Sequence, residues 1–436
     1  MSASEVVVVA VLVFGYSLVS RRVSSWPVSM PMVFVGAGWA SAALGLVELD
    51  TDGEAIALVA EITLAVVLFS DAVRIDPRRL RRYLGLPTRL LLIGLPLTIV
   101  LGTLVNTALI GGVGVVELAL VAAILAPTDA ALGAAVVEDE SVPARDRLTL
   151  NVESGVNDGL VVPATAVLAA IAVDEERSTG AWIGFVAEQI GYGVAIGVVL
   201  GVVAIRALSW AHLARWSDGR YEQLATMVVP VVALFAAQAV GGNAFIAAFV
   251  AGIAFGAGAT DPTATHGEGR AAHFAEFTDD AAQLLALIAF FLFGNVLVDG
   301  VMGHIDGAIA VAALASLTIV RMLPVWLALV GTGLRWQSRL FLGWFGPRGL
   351  ASIVFGLLLV EEADELSGRS DQLFALIGLT VVASVVLHGA SAAPAATRYG
   401  RWAATVEVDA PAAVGHHVPA DVMPETRWSV QRWVKR

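Results

Sequence analysis

Two short polar stretches interrupt an otherwise apolar sequence: Ala126-Pro127-Thr128-Asp129 and, further along the chain, Asn151-Val152-Glu153-Ser154-Gly155-Val156-Asn157-Asp158-Gly159. They place two aspartates and a glutamate inside segments that are apolar enough to span a membrane. An ionisable side chain in hydrocarbon is costly, so by default it marks an ion pathway. The two stretches therefore predict a membrane protein with an ion-binding site inside the bilayer.

The composition agrees with a polytopic membrane protein. The chain has 436 residues, of which 58% are hydrophobic, and its mean hydropathy is +0.80. Apolar runs of roughly 18 to 25 residues recur along the chain, which is the length that spans a bilayer as a helix. The alternation expected of an outer-membrane barrel is missing. Because the chain has no cysteine, thiolate metal sites and disulfides are excluded, and we expect no cofactor.

We predict an all-α protein with about 13 transmembrane helices. The transmembrane domain covers 1–400, and 401–436 forms a short cytoplasmic tail, either amphipathic or disordered. The pair of spans around Gly241-Gly242 could also be one long helix. The candidate spans are roughly 4–20, 28–47, 54–72, 87–110, 116–137, 147–172, 182–208, 222–240, 243–259, 281–299, 305–333, 339–360 and 372–397.

The charges between the spans alternate along the chain. Loops after odd-numbered spans contain most of the arginines, such as Arg21, Arg78 and Arg145, whereas loops after even-numbered spans carry mainly acids, such as Asp50 and Glu362. By the positive-inside rule, we expect the N-terminus outside and the C-terminus in the cytoplasm. Acids outnumber bases 38 to 26. A high-salt habitat and a GC-rich genome explain that balance equally well.

Three spans bring a charge to a similar, near-central depth. With a rise of about 1.5 Å per residue, Asp158 lies about 16 Å beyond the arginine at the cytoplasmic end of span 6. Asp129 in span 5 and Arg348 in span 12 each lie about 13 Å from the corresponding end. In span 6, Ser154 shares a helix face with Asp158, and Glu153 shares the adjacent face with Asn157. Such oxygen-rich edges suit a hard monovalent cation such as Na⁺.

Spans 5 and 12 are both expected to be interrupted. Pro127 breaks the hydrogen-bond ladder beside Thr128 and Asp129, and Gly346, Pro347 and Gly349 do the same around Arg348. Interrupted segments at matching places in two halves indicate the binding site of an inverted-repeat transporter. The repeats would cover roughly 4–172 and 222–397, so that span 5 corresponds to span 12.

The remaining buried charges have structural interpretations. We expect Arg348 to pair with Glu153, since a guanidinium repels Na⁺. Arg321 is either structural or reaches the membrane surface from its span. For Glu61 a second polar network is favoured, and for His388 a packed neutral histidine.

At these residues the chain resembles the sodium/proton exchanger family, specifically the NhaP-type cation:proton antiporters. The resemblance covers roughly 5–397 and rests on Thr128-Asp129, on the stretch from Glu153 to Gly159, and on Gly346-Pro347-Arg348-Gly349. Phe245–Gly252, Phe290–Gly294 and Leu387-His388-Gly389 support it. One departure is that the family commonly has proline after the Thr-Asp pair, whereas here Pro127 precedes it.

The resemblance implies a homodimer whose subunits each have a dimerisation domain and a six-helix core domain, with spans 5 and 12 crossing as unwound pairs. Na⁺ would bind at Asp158, Asp129, Thr128 and Ser154, with Glu153 adding oxygens. Asp158 would be the carboxylate that Na⁺ (or Li⁺) and H⁺ share. Asn157 stands where electrogenic relatives have a second aspartate, which implies electroneutral one-for-one exchange.

Four other functions stay open from the residues alone. A K⁺/H⁺ antiporter would use the same fold. An intramembrane aspartyl protease would use Asp129 and Asp158, but it needs a Gly-x-Gly-Asp segment that surrounds neither residue, and a serine-type protease would need a base that Ser154 does not have nearby in sequence. A passive channel is disfavoured by the pairing of buried acids with broken, repeated helices.

Overall fold

All regular structure in the described residues is helical. A computed structural model of the chain describes residues 3–23, 28–47, 54–73, 85–172, 179–259, 270–361 and 370–409. The helices are α1 (Ala3–Val23), α2 (Met30–Ala43), α3 (Glu54–Val73), α4 (Gly85–Leu109, with a π-helical turn at Leu90–Gly94), α5 (Val115–Ile124), α6 (Ala130–Val137), α7 (Ala144–Ala172), α8 (Thr179–Leu213), α9 (Gly219–Ala239), α10 (Ala244–Ala259), α11 (Arg270–Gly300), α12 (Gly307–Leu317), α13 (Ile319–Ala328), α14 (Trp336–Trp344), α15 (Leu350–Glu361) and α16 (Ser370–Asp409).

Length and apolar composition make the chain a multi-pass membrane protein. Within the described ranges, seven helical segments are long and apolar enough to cross a membrane, and four shorter apolar helices accompany them. In a bilayer core without water, a helix satisfies its own backbone hydrogen bonds, which is why such apolar segments adopt it.

The two predicted interruptions are confirmed. Predicted span 5 is the pair α5 and α6, with residues 125–129 outside either helix, and predicted span 12 is the pair α14 and α15, with residues 345–349 outside. The spans around Gly241-Gly242 are two separate helices, α9 and α10. Gly241 turns the chain between them with φ +74, a conformation that glycine adopts without strain.

A third interruption was not predicted. The span expected at 305–333 consists of α12 and α13, which are separated at Thr318 with φ −109 and ψ −91. Pro324 follows inside α13 and has no N–H to continue the hydrogen-bond ladder. The break itself falls at a threonine with no glycine or proline beside it, so the sequence pattern did not mark it.

Several predictions fall outside the described residues. The arginines of 74–84 and the acidic loops at 48–53, 173–178 and 362–369 belong to this group, so the predicted orientation stays a prediction. Of the predicted tail, 401–409 continue α16 as helix, and 410–436 lie outside the described residues.

The chain divides into two compact units. The first comprises Met1–Leu58, Leu86–Ser154 and Leu287–Arg436. Within it, the long helix α16 packs against α2, α5, α6, α12 and α15, so it contacts members of both interrupted pairs. Its core includes the buried side chains of Leu90, Leu342 and Ala396.

The second unit comprises Val59–Gly85 and Gly155–Ala286. Its helix α8 packs closely against α10, because three glycines one turn apart on α8 face that helix: Gly193, Gly197 and Gly201. A Cβ on Gly197 would lie 2.6 Å from the carbonyl oxygen of Ala247, so only a residue without a side chain allows this approach.

Candidate functional site

The two interrupted helix pairs meet at their breaks inside the first unit. The backbone N–H of Asp129 donates to the carbonyl oxygen of Pro347 at 2.8 Å, which joins one break directly to the other. Ser352, in the first turn of α15, donates its hydroxyl to the carbonyl of Ile124, the last residue of α5, at 2.7 Å. The predicted crossing of two unwound segments is therefore confirmed by contacts between the segments themselves.

Arg348 lies beside the first break, just beyond the carboxyl end of α5. Its guanidinium donates to the carbonyl of Ala126 and, at 3.1 Å, to that of Pro127, and the side chain is completely buried. These carbonyls belong to residues 125–129, which lie outside the helices, so no helical hydrogen-bond ladder provides donors for them. Buried backbone carbonyls need a hydrogen-bond partner, and Arg348 supplies it.

Asp129 occupies the amino end of α15 in the reciprocal arrangement. Its Oδ2 accepts a hydrogen bond from the backbone N–H of Leu350 at 2.7 Å. A carboxylate there satisfies a free donor and opposes the positive end of the dipole. Gly349 makes the approach possible, because a Cβ at this residue would overlap the carboxylate of Asp129.

The predicted pairing of Arg348 with Glu153 is wrong. Glu153 is held instead by Arg321 of α13, whose Nη1 and Nη2 donate to the two carboxylate oxygens at 2.6 and 2.9 Å, and both side chains are buried. Arg348 has no such role because its Nη1 donates to the carbonyls of the first break. Gly346 leaves room for the pair, since a Cβ there would overlap the guanidinium of Arg321.

Arg321 is a residue of the site whose partner, Glu153, was not predicted from the sequence. It was expected to be structural or to reach the membrane surface, and its bidentate bond makes it structural. The available signal was a lone arginine in the middle of an apolar span. A buried arginine needs an opposite charge, and Glu153 was one of few candidates.

Two hydroxyls lie beside the first break. Thr128 Oγ1 and Ser154 Oγ are 2.9 Å apart, and both side chains are buried. Ser154 belongs to α7, which runs without interruption from Ala144 to Ala172. Asp158, partly exposed, follows one helical turn later on the same helix, and both it and the buried Asn157 belong to the second unit.

Helix α16 braces the second break. The backbone N–H of Arg348 donates to Ser384 Oγ at 2.6 Å, and that hydroxyl lies 3.1 Å from Nδ1 of the fully buried His388. The ring of Trp344 packs against the imidazole with centroids 4.8 Å apart. His388 is packed in the interior, as expected, and it also contacts Ser384, the residue that accepts the hydrogen bond from the second break.

Two separate polar contacts lie in the second unit. Glu61 accepts a hydrogen bond from Gln238 at 3.3 Å at an exposed position, and Ser70 donates to the buried Asp279 at 2.5 Å between α3 and α11, so the expected network around Glu61 stays a prediction. Over the described ranges, no cluster of three or more histidine, aspartate and glutamate side chains forms a metal site. The oxygen atoms described at the breaks belong to the hydroxyls of Thr128 and Ser154, to backbone carbonyls and to the carboxylate of Asp129.

Comparison with known proteins gives a consistent result. Residues 8–398 match the family described as "Sodium/hydrogen exchanger, transmembrane". The chain is 26% identical over 393 residues to the K(+)/H(+) antiporter NhaP of Alkalimonas amylolytica, which covers 88% of this chain and 64% of that protein. It is 28% identical over 378 residues to the Na(+)/H(+) antiporter ApNhaP of Aphanothece halophytica, which covers 83% of this chain and 67% of that protein. The chain thus spans about two thirds of the length of these relatives.

The fold has a solved counterpart. The sodium proton antiporter MjNhaP1 from Methanocaldococcus jannaschii superposes with a TM-score of 0.72 at 19% identity, over 90% of this chain and 97% of that one. At this identity the likeness shows the fold, and it confirms the predicted all-α fold with interrupted helices.

Proposed function

Because the chain belongs to the sodium/hydrogen exchanger family, a family of membrane transporters rather than enzymes, we propose that it exchanges Na⁺ (or Li⁺) for H⁺ across the cytoplasmic membrane. Family membership sets the aspartyl-protease alternative aside. The observation that carries the proposal is the contact between the two breaks, at which Asp129 caps the amino end of α15 and Arg348 donates to the carbonyls of the first break. Such a crossing presents backbone and side-chain oxygens to a cation in mid-membrane.

We assign the transported charge to Asp158 because the stretch from Glu153 to Gly159 resembles that of the sodium/proton exchangers. Three nearby ionisable side chains have structural roles: Glu153 pairs with Arg321, Arg348 donates to carbonyl oxygens, and Asp129 caps the amino end of α15. Asp158 follows Ser154 by one turn of the continuous helix α7. Asp129 then shapes the cation site from the first break through its negative charge. Asn157 lies beside Asp158 in sequence and supports it without adding a second carboxylate.

Exchange follows from competition for one carboxylate. Asp158 binds either a proton or a Na⁺ ion, and a bare carboxylate is expensive to move through a region of low dielectric constant. Only the two loaded forms cross readily, so each cation that moves one way is matched by a proton that moves the other way. Both loaded forms carry the same charge, so the exchange is electroneutral with a ratio of one to one.

The wider architecture is proposed on the same basis. Matching breaks in the two halves support inverted repeats at roughly 4–172 and 222–397, within a transmembrane domain at 1–400. The loop charges support an external N-terminus and a cytoplasmic C-terminus. A homodimer follows from the family resemblance. No cofactor is needed, since the ions are the substrates.

K⁺ is the second candidate cation. One relative is named a K(+)/H(+) antiporter and another a Na(+)/H(+) antiporter, at nearly equal identity to this chain. Proteoliposomes that contain a pH-sensitive dye, challenged with each alkali cation in turn, would separate the candidates. The cation that drives proton release at the lowest concentration is the substrate.

The assignment of Asp158 is tested in the same vesicles. Asp158→Asn should abolish cation-driven proton release while the purified protein keeps its thermal unfolding midpoint, because the change removes the charge and keeps the shape. Asp139→Asn, at a partly exposed residue of the loop before α7, is the matched control and should exchange normally. Continued exchange by Asp158→Asn would refute the assignment.

A further inference from the structure

The carboxyl end of α8 carries a strained residue. The N–H of Trp216 bonds to the carbonyl of Ala211 at 2.9 Å and that of Arg215 to the carbonyl of His212 at 3.1 Å, the pattern of a Schellman motif. Arg215 takes the left-handed position of this motif with φ 57, and among the described residues it is the one non-glycine residue with a positive φ. Glycine is usual there because a Cβ is crowded. Strain at such a residue points to a use for its side chain.

Two tryptophans flank Arg215 at the carboxyl end of α8. The rings of Trp210 and Trp216 pack edge to face with centroids 4.8 Å apart, and the residues are 57% and 77% exposed. Helix α8 is apolar from Gly184 to Leu213 and long enough to cross a bilayer, so its end emerges from the hydrocarbon. Tryptophan prefers this depth, because its ring is apolar and its N–H is polar.

The same surface is positively charged. Arg206 lies one turn before Trp210 on α8, Arg220 lies in the first turn of α9, and both are exposed like Arg215. In the part of the chain that the structure describes, none of the three guanidinium groups has a hydrogen-bond or ion-pair partner.

The acids of this loop face other groups. Asp218 caps α9 by accepting from the backbone N–H of Arg220 at 3.3 Å. Glu222 is buried, and it bonds to Nδ1 of His212 at 3.0 Å and to the hydroxyl of Ser217. The arginines therefore keep their positive charge at the surface.

We propose that Arg206, Trp210, Arg215, Trp216 and Arg220 form a binding site for the headgroup of an anionic phospholipid. Guanidinium groups bind phosphate through paired hydrogen bonds, and arginines next to a membrane are attracted to its anionic lipids. The indole rings would lie at the boundary between headgroup and acyl chains, a requirement that a free phosphate ion does not have. The inference concerns lipid binding and does not depend on the proposed exchange activity.

The test measures lipid binding by the purified full-length chain in a neutral detergent. Phosphatidylglycerol and phosphatidylcholine with identical acyl chains are titrated, and bound lipid is counted by native mass spectrometry. Arg215→Gly should weaken phosphatidylglycerol binding about fivefold and leave phosphatidylcholine binding unchanged. Its thermal unfolding midpoint without lipid should equal or exceed that of the parent chain, because glycine relieves the strain at this position.

Two further variants make the result decisive. Arg401→Gly removes one charge from an exposed position of α16. It should keep full phosphatidylglycerol binding and lower the unfolding midpoint, because glycine weakens a helix interior. Arg215→Gln removes the charge but keeps a Cβ and a polar side chain, and hence the parent backbone strain, and should lose binding to the same extent as Arg215→Gly.

Three results would overturn the proposal. One is unchanged phosphatidylglycerol binding in both Arg215 variants. Another is an equal loss in Arg401→Gly, which would show a general charge effect. The third is complete displacement of the lipid by inorganic phosphate at matched ionic strength, which would show a site for the free anion.

Discussion

Arg321 holds both carboxylate oxygens of Glu153, at 2.6 and 2.9 Å, although the two residues are 168 positions apart in the chain. The bond joins α13, which begins just after the unpredicted break at Thr318, to the helix that carries Ser154 and Asp158. Both groups are buried, so each is the main compensation for the charge of the other.

Breaking this pair from one side should destabilise the protein. Arg321→Met leaves Glu153 buried without its cation, and we expect a loss of about 3 to 5 kcal/mol in the free energy of unfolding. The double variant Glu153→Gln, Arg321→Met removes both charges and should recover most of that loss. Thermal unfolding in detergent, analysed as a double-mutant cycle, measures the coupling. Additive effects of the two single changes would contradict the pairing.

The close contact between Asp129 and residue 349 gives a second prediction. Gly349→Ala places a Cβ on the carboxylate of Asp129, which must leave the N–H of Leu350. Loss of this cap should cost about 1 to 2 kcal/mol of stability, and the cation concentration for half-maximal exchange should rise because Asp129 is displaced.

Gly133→Ala is the matched control for this change. It lies in α6, where a Cβ would meet nothing within 4 Å. Alanine favours a helix over glycine by roughly 0.5 to 1 kcal/mol, so this variant should be as stable as the parent or more so. If both variants behave alike in unfolding and exchange assays, the cap by Asp129 is unimportant.

The hydroxyl pair at the first break should contribute to cation affinity. Thr128→Val keeps the shape of the side chain and removes the oxygen that lies 2.9 Å from Ser154. We expect the KM for Na⁺ to rise roughly threefold to tenfold with little change in maximal rate, because a buried polar contact is worth about 0.5 to 1.5 kcal/mol.

Thr165→Val provides the control on α7. The hydroxyl of Thr165 is also buried, but it donates to the carbonyl of Val162 in its own helix at 2.9 Å. Its removal should leave the KM for Na⁺ unchanged. An equal rise in KM for both variants would show that the effect comes from general loss of packing and not from a lost ligand.

The breaks could be predicted from the sequence because they depend on local chemistry. Pro127 and the Gly346-Pro347-Gly349 group remove donors or relax the backbone where they stand, and helices end there as expected. Likewise, the spacing of Ser154 and Asp158 fixes their place on one helix face. The break at Thr318 depends on tertiary packing and left no such local mark.

The partner of each buried charge could not be predicted in the same way. Arg321 and Arg348 both lie in apolar spans, and the sequence does not tell which of them reaches Glu153. The structure shows that Arg321 is the partner of Glu153, because the guanidinium of Arg348 donates instead to the carbonyls of Ala126 and Pro127. Such pairing depends on contacts between distant segments, and these follow from the packing of the whole unit.

The charge balance of transport gives the last prediction. If one carboxylate exchanges one cation for one proton, no net charge crosses the membrane, so an imposed membrane potential should not change the rate. A net movement of one charge would be worth about 2.3 kcal/mol per 100 mV, which is a large effect on a rate.

The variant Asn157→Asp tests the same charge balance. It adds a second acid beside Asp158 on α7, and the exchange rate in this variant should become sensitive to the membrane potential. Proteoliposomes with a pH-sensitive dye and a potential set by an ion that the protein does not transport provide the measurement. Dependence on potential in the unmodified chain would show that exchange is not one for one.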